Sequence, residues 1–155
     1  MKKLSRTSVK IPPPIVTLIF AAFMFLINRY FPLEITFSEK HFFIIPALVI
    51  AFLLLFPALS QFRRNKTTVN PLKPEAANTL VIAGVYRYSR NPMYLGMALV
   101  LFSWGGDLAN PLNLFIFIGY IFYMNYFQIE VEERALEKLF GEAFLEYKRR
   151  VRRWL

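Results

Sequence analysis

The stretch GVYRYSRNPMYLG, residues 84–96, places three tyrosines, two arginines and an Asn-Pro step directly before a run without charged side chains. If Asn91 is the N-cap of the following helix, the free N–H groups at the helix start point toward Arg87 and Arg90. A helix N-terminus with arginines beside it is a suitable site for an anion such as a carboxylate or a phosphate. The alternative is that the arginines contact lipid phosphates while the tyrosines form an interfacial aromatic belt.

A second polar cluster is EVEER, residues 130–134. A carboxylate of Glu132 or Glu133 could accept hydrogen bonds from a ligand's hydroxyl groups or bind a positive charge. The alternative is ordinary pairing on a solvated helix face, where Glu133 has Glu137 and Lys138 as neighbours. Taken alone, this cluster favours the second interpretation.

Composition excludes several classes of site. The chain of 155 residues has no cysteine and one histidine, so it contains neither a thiolate nor a His-rich metal centre. Its net charge of +9 is compatible with nucleic acid or with an anionic membrane surface. The apolar share of 56% is above the ~45–50% of soluble domains. Because the apolar residues form four uncharged runs of nearly membrane-spanning length, we expect a membrane protein and no nucleic-acid partner.

The elements that position the two clusters are uncharged runs, each close to the ~20 residues that cross a hydrocarbon core. We predict an all-α integral membrane protein forming a single domain over residues 1–155. Its four transmembrane helices are expected at about 11–30, 42–61, 92–108 and 111–129, with a cytoplasmic segment 62–90 and a cytoplasmic tail helix 130–155. No acid or base lies near the middle of any run, which argues against an ion-coupled transporter.

The orientation follows from the lysines and arginines. Seventeen of them lie in the N-terminus, the 62–90 segment and the tail, against two, Arg29 and Lys40, on the other side. Both termini are therefore predicted to be cytoplasmic, as in a multi-pass protein of a bacterial inner membrane. In the tail, Leu136, Phe144 and Tyr147 share one face, and Gly141 is expected to introduce a bend or a close backbone contact.

Taken together, the two clusters resemble a known family. LVIAGVYRYSRNPMYLG, an EE pair and FGEAFLEYKRRV occur here in that order. Members of the isoprenylcysteine carboxyl methyltransferase and phospholipid methyltransferase family read much like Leu-Val-x-x-Gly-x-Tyr, Arg-His-Pro-x-Tyr-x-Gly, Glu-Glu and Phe-Gly-x-x-Tyr-x-x-Tyr. The resemblance covers residues 67–151 and is to a small bacterial-type member.

The resemblance implies an enzyme that uses S-adenosylmethionine, held in a cytoplasm-facing pocket between the last helices and the tail. It implies that the cofactor is bound by Asn78, Thr79, Leu80, Val81, Tyr86, Asn91, Pro92, Met93, Tyr94 and Glu132. Arg90 and Tyr94 are the expected catalytic residues. In chemical terms, Arg90 suits the carboxylate of the cofactor, Glu132 its ribose hydroxyls, and tyrosine faces its sulfonium charge.

The sequence departs from the family pattern on the substrate side. Asn91 stands where many relatives have a histidine, and an amide cannot shuttle a proton. Gln128, the expected substrate-binding residue, replaces an arginine that would hold a substrate carboxylate. His41 is predicted on the opposite membrane face. We therefore expect no proton-relay histidine and no metal.

The expected function is a membrane-embedded methyltransferase acting on a lipidic or small hydrophobic acceptor, which carries a carboxylate, a thiol or an amine. Membrane lipids are the expected partners. The alternative is a non-enzymatic four-helix membrane scaffold or a lipid-binding protein. A scaffold accounts for the apolar runs and the basic face, but not for the order of the motifs.

Overall fold

A computed structural model describes residues 11–33, 35, 38–64 and 79–155, and within them every regular element is helical. The helices are α1 Pro13–Tyr30, α2 Lys40–Arg64, α3 Pro92–Asp107, α4 Asn113–Tyr123, α5 Glu130–Phe140 and α6 Glu142–Arg150. A short 3-10 turn, Gly84–Arg87, precedes α3. A π-helical turn, Met124–Ile129, joins α4 to α5 without a break in the helix. The all-α prediction is confirmed for the described residues.

Two of the helices begin at prolines, as the sequence predicts. Prolines occupy the first positions of α1 and α3, where the missing N–H has no partner to lose. Two further prolines, Pro46 and Pro57, are accommodated inside α2.

Three described helical stretches are long and apolar enough to cross a membrane: Pro13–Tyr30, Lys40–Gln61 and Asn113–Phe140. The prediction of a multi-pass membrane protein is confirmed by these three, whereas α3, with 16 residues, remains a predicted fourth span.

Helix α3 lies at the centre of the bundle and packs against α1, α2 and α4. It packs tightly on α2 at Gly96, where an added Cβ would lie 2.6 Å from Leu55 Cγ and 3.2 Å from the carbonyl oxygen of Ala51. A small residue at this position therefore lets the two backbones come together. The core beside it contains Met24, Tyr94, Ala98, Leu101, Tyr120 and Met124.

The predicted tail helix is divided into α5 and α6, and it ends at Arg150 rather than at residue 155. Gly141 separates the two helices with φ +54°, in the left-handed region that favours glycine. The expected bend is therefore present. The expected close backbone contact is not, because a Cβ added at Gly141 would meet no described atom within 4 Å. The bend allows Phe144 and Tyr147 to be buried against the bundle.

Candidate functional site

A cavity of about 100 Å³ lies where the start of α3 meets α5, α6 and the chain that precedes α3. Its walls include predicted cofactor-binding or catalytic residues from both sequence clusters: Thr79, Leu80, Val81, Tyr86, Arg90, Asn91, Met93, Tyr94 and Glu132. Four further lining residues, Glu133, Leu136, Phe144 and Tyr147, were not predicted as site residues. Folding therefore brings the two clusters together around one space.

Tyr86 is positioned by the 3-10 turn. That turn begins at Gly84, whose φ is +62° and whose added Cβ would lie 2.7 Å from Nε2 of Gln61 on α2. The turn is fixed from the other side by Tyr147, whose hydroxyl donates to the carbonyl oxygen of Tyr86 at 2.6 Å. A residue with a side chain at position 84 would strain the backbone of the turn and disturb its packing against Gln61.

Both of these tyrosines are buried. Burial raises the pKa of Tyr86, and the neighbouring Tyr147 and Glu132 raise it further. Burial also raises the pKa of Tyr147, although the Arg90 cation opposes the rise. Both phenols therefore stay neutral across the physiological range and can contribute hydrogen bonds and aromatic surface, but not a negative charge.

Tyr94 and Glu132 form the contact that links the two motifs. Tyr94 lies in the first turn of α3 and is buried, and its hydroxyl donates a hydrogen bond to Oε1 of Glu132 on α5. The pair places one carboxylate on the cavity wall, next to aromatic rings. Such a carboxylate can accept hydrogen bonds from ligand hydroxyl groups.

Glu133 is the partner of two arginines, not of its helix neighbours. Its carboxylate accepts from Arg90 at 2.8 Å and from Arg153 at 2.6 and 3.2 Å, in a two-pronged arrangement. The side chains of Arg90 and Glu133 are only 11% and 8% exposed. The ordinary helix-face pairing favoured for this glutamate is therefore wrong. Its true partners lie 43 and 20 residues away in the sequence, out of reach of any local rule.

The guanidinium of Arg90 is largely occupied by the protein itself. Besides Glu133, it donates through Nη1 to the carbonyl oxygens of Lys148 at 3.1 Å and Val151 at 2.6 Å. Among the described residues, its Nε is buried without a hydrogen-bond partner. Arg90 thus binds the C-terminal end of α6, where a cation is favourable. Its catalytic role stays a prediction.

Asn91 is the N-cap residue of α3, but its side chain makes no capping hydrogen bond. The expected side-chain cap is wrong because the amide instead donates to the carbonyl oxygen of Arg153 at 3.1 Å. Ser89 and the backbone N–H of Arg90 also donate to the 152–153 backbone. The segment 151–155 therefore lies across the 89–91 loop and holds it in place.

Two predicted residues, Pro92 and Gln128, do not line the cavity. Pro92 is the buried first residue of α3 and directs the helix away from the loop. Gln128, the expected substrate-binding residue, is buried on the π-helical turn and donates to the carbonyl oxygen of Ile11 at 2.7 Å. Asn78 lies outside the described residues. Within the described part of the chain, no three His, Asp or Glu side chains are grouped as a metal site requires.

Comparisons with known proteins agree on one family. The family model described as phospholipid methyltransferase matches residues 40–143. An uncharacterised protein of Haemophilus influenzae is 44% identical over 63 residues, which are 41% of this chain and all of that protein. No solved structure was found to match the chain significantly.

Two enzymes named protein-S-isoprenylcysteine O-methyltransferase are also similar. The one from Saccharomyces cerevisiae is 39% identical over 79 residues, covering 51% of this chain and 33% of the enzyme. The one from Xenopus laevis is 40% identical over 78 residues, covering 48% of this chain and 26% of the enzyme. The chain thus matches a third or less of the length of these two enzymes. With the family match extending over more than half of the chain, this protein belongs to the phospholipid methyltransferase family.

Proposed function

We propose that the protein is a membrane methyltransferase that uses S-adenosylmethionine and acts on a lipidic or small hydrophobic acceptor carrying a carboxylate, thiol or amine. The observation that carries the proposal is the Tyr94–Glu132 contact. It joins the two family motifs at one cavity, beside Tyr86 and Phe144. A scaffold would need no such convergence of polar side chains.

The residues of the cavity suit the chemistry of this cofactor, which supplies an activated methyl group on a positively charged sulfur. Glu132 would accept hydrogen bonds from the two ribose hydroxyls. The aromatic faces of Tyr86, Tyr94 and Phe144 would favour the sulfonium charge and the apolar adenine edge. Arg90 lies on the same wall, and its main role would be to hold the loop and the tail in position.

The size of the cavity implies movement on binding. It encloses about 100 Å³, whereas sites for small molecules typically measure ~300–1,000 Å³. The walls must therefore separate to admit a nucleoside. The wall contributed by residues 79–81 is extended chain without regular secondary structure, and we infer that it yields more readily than α3 or α5.

The acceptor would react by direct attack on the methyl group. Such a transfer needs the nucleophile aligned about 3–3.5 Å from the methyl carbon, and it benefits from the exclusion of water. His41 lies at the start of α2, whereas Gln61, near the other end, contacts Gly84 beside the cavity. Twenty helical residues separate the two positions by about 30 Å. We therefore infer that the acceptor arrives already nucleophilic or loses its proton to water.

Binding of S-adenosylhomocysteine to the detergent-purified protein tests this proposal. Calorimetry should give a defined affinity for the wild type and a ten- to a hundredfold loss for Glu132→Ala. The reason is that the hydrogen bonds to both ribose hydroxyls are lost, each worth about 0.5–1.5 kcal/mol between neutral groups and more with a charged one. Glu146→Ala, on the exposed face of α6, is the matched control and should bind as tightly as the wild type.

Two outcomes would count against the proposal. Equal affinity in folded Glu132→Ala protein would remove this glutamate from the cofactor site. Absence of any binding by folded wild-type protein would remove the cofactor and would favour the scaffold or lipid-binding alternative. Identification of the acceptor then requires a methyl-transfer screen on lipid extracts.

A further inference from the structure

The last five residues, 151–155, follow α6 as chain without regular secondary structure, yet they are attached to the surroundings of the proposed cofactor site. The backbone N–H of Arg90 donates to the carbonyl oxygen of Arg152 at 3.0 Å. Trp154 binds the segment to the π-helical turn, because its Nε1 donates to Oδ1 of Asn125 at 3.1 Å. The segment is therefore attached to two separate parts of the bundle.

Arg153, in the middle of this segment, contacts two walls of the cavity without lining it. Its guanidinium donates to both carboxylate oxygens of Glu133 on α5, through Nη2 at 2.6 Å and through Nε at 3.2 Å. Its backbone carbonyl oxygen accepts from Nδ2 of Asn91 at 3.1 Å and from the hydroxyl of Ser89 at 3.4 Å. One residue thus connects α5 to the loop that precedes α3.

The two arginines that contact Glu133 act on its carboxylate in different ways. Arg90 donates to Oε1 alone, at 2.8 Å, and a single hydrogen bond leaves the carboxylate able to turn about it. Arg153 engages both oxygens as a fork and therefore also fixes the plane of the carboxylate. The orientation of Glu133 thus depends on Arg153, whereas Arg90 adds a second positive charge.

The orientation of Glu133 in turn sets the rotation of α5. Successive residues of an α-helix point about 100° apart, because 3.6 residues complete a turn. While Glu133 faces the C-terminal segment, Glu132 faces the first turn of α3, where the hydroxyl of Tyr94 donates to it. These two contacts together fix the first turn of α5 in rotation as well as in position.

We propose that Arg153 is a positioning residue of the cofactor site, which holds Glu132 toward the cavity by fixing Glu133 and the 89–91 loop to the C-terminal segment. This role rests on the proposed function, in which Glu132 binds the ribose of the cofactor. The affinity for the cofactor then depends on a side chain that lies outside the cavity.

The test compares Arg153→Ala with Arg152→Ala in the detergent-purified full chain. Both variants lose one positive charge, but the Arg152 side chain is exposed and has no ion-pair partner among the described residues. Calorimetry should show that Arg153→Ala binds S-adenosylhomocysteine about tenfold more weakly than the wild type, a size typical of coupling within one salt-bridge network. Arg152→Ala should bind with wild-type affinity. We expect Arg153→Ala to fold, because Arg90 still pairs with Glu133.

Chemical rescue separates positioning from a general effect of charge or stability. The Arg153 side chain is 35% exposed, so a small cation from solution can reach the space that alanine leaves. Methylguanidinium should restore most of the affinity that Arg153→Ala loses. Methylammonium should not, because an ammonium group cannot bind two carboxylate oxygens as a planar fork. For the same reason, Arg153→Lys should fold but bind the ligand more weakly than the wild type.

Three results would overturn the positioning role and leave the proposed function intact. The first is wild-type affinity for S-adenosylhomocysteine in folded Arg153→Ala, and the second is equal recovery of that variant with the two cations. If Arg153→Ala does not fold, Arg153→Lys decides, and wild-type affinity in that variant is the third.

A measurement without cofactor keeps the two proposals distinguishable. In ligand-free protein, backbone amides of residues 130–136 should exchange hydrogen faster in Arg153→Ala than in Arg152→Ala, because the first turn of α5 is less restrained. If wild-type protein binds no S-adenosylhomocysteine, the proposed function fails, and this exchange still reports whether Arg153 holds Glu132 in place. Equal exchange rates in the two variants would overturn the positioning role.

Discussion

At the scale of single residues, a buried charge network holds the proposed site together. Glu133 compensates two arginines, one from the loop before α3 and one from the C-terminal segment. Its neighbour Glu132 faces the cavity and is bonded by a neutral phenol instead. Two adjacent acids thus have different partners: Glu133 binds two arginines, and Glu132 is the carboxylate proposed to bind the cofactor.

We predict that Glu133→Gln strongly destabilises the protein. The change leaves Arg90 and Arg153 with an uncharged partner, and breaking a buried ion pair from one side costs roughly 3–5 kcal/mol. Because Arg153 is 35% exposed, we expect a loss of about 3 kcal/mol in the free energy of unfolding. Chemical denaturation in detergent measures this loss.

The control for that experiment is Glu142→Gln. Glu142 also pairs with an arginine, Arg149, but both side chains are about 70% exposed, so the free energy of unfolding should change little. Equal losses in the two variants would contradict the structural role given to Glu133.

At the scale of elements, close packing of α3 on α2 fixes the position of the first turns of α3, which carry Tyr94. Gly96 stands two residues after Tyr94, so any separation of the two helices at this position also shifts the Tyr94–Glu132 contact. The turn at Gly84 depends on α2 as well, since it packs on Gln61. Helix α2 therefore supports the cavity from outside, and none of its described side chains lines it.

We predict that Gly96→Ala destabilises the protein by roughly 1–3 kcal/mol, because the new methyl group would overlap Leu55 and the backbone of Ala51. Thermal melting in detergent measures the effect. Gly119→Ala in α4 is the matched control, since its Cβ would meet only Phe20 Cε1, at an ordinary 3.8 Å. A melting temperature lowered as much by Gly119→Ala as by Gly96→Ala would show that the α2–α3 contact is not the cause.

At the scale of the whole molecule, the charge distribution and the site belong to the same end of the bundle. Arg90 and the basic C-terminal end of α6 lie near the cavity, whereas Lys40 lies at the other end of the bundle with Asp107. Basic residues concentrate on the cytoplasmic side of membrane proteins. The proposed site is therefore expected to face the cytoplasm, where S-adenosylmethionine is available.

We predict that a green fluorescent protein fused to the C-terminus fluoresces in a bacterial host and that alkaline phosphatase fused there is inactive. These reporters distinguish the cytoplasm from the periplasm. Fusions inserted after Ser38, in the connection between α1 and α2, should behave in the opposite way. Phosphatase activity of the C-terminal fusion would contradict the orientation and would move the cavity to the wrong side of the membrane.

The sequence by itself determined where the helices lie and selected part of the cavity lining. Uncharged runs, prolines at helix starts and glycine at a bend act within a few residues, so α1, α2 and α3 begin and end close to their predicted bounds. The fourth helix begins at Asn113, close to its predicted start, but is regular only to Tyr123 before the π-helical turn. The family resemblance selected the other lining residues, whereas Glu133, Leu136, Phe144 and Tyr147 were not predicted. Residues 79–94 and Glu132 carry motif identities that the family resemblance supplies, and no structure was needed to select them.

Only the tertiary structure decided which side chains these residues contact. Arg90 and Glu133 are 43 residues apart, Asn91 and Arg153 are 62 apart, and Gln128 bonds to Ile11 across 117 residues. Such partners depend on how α5, α6 and the C-terminal segment fold back over the start of α3, and no local propensity encodes that path. For the same reason, the sequence does not show that the buried amide of Asn113 has no hydrogen-bond partner among the described residues, because the partners of a polar group depend on every element that packs around it.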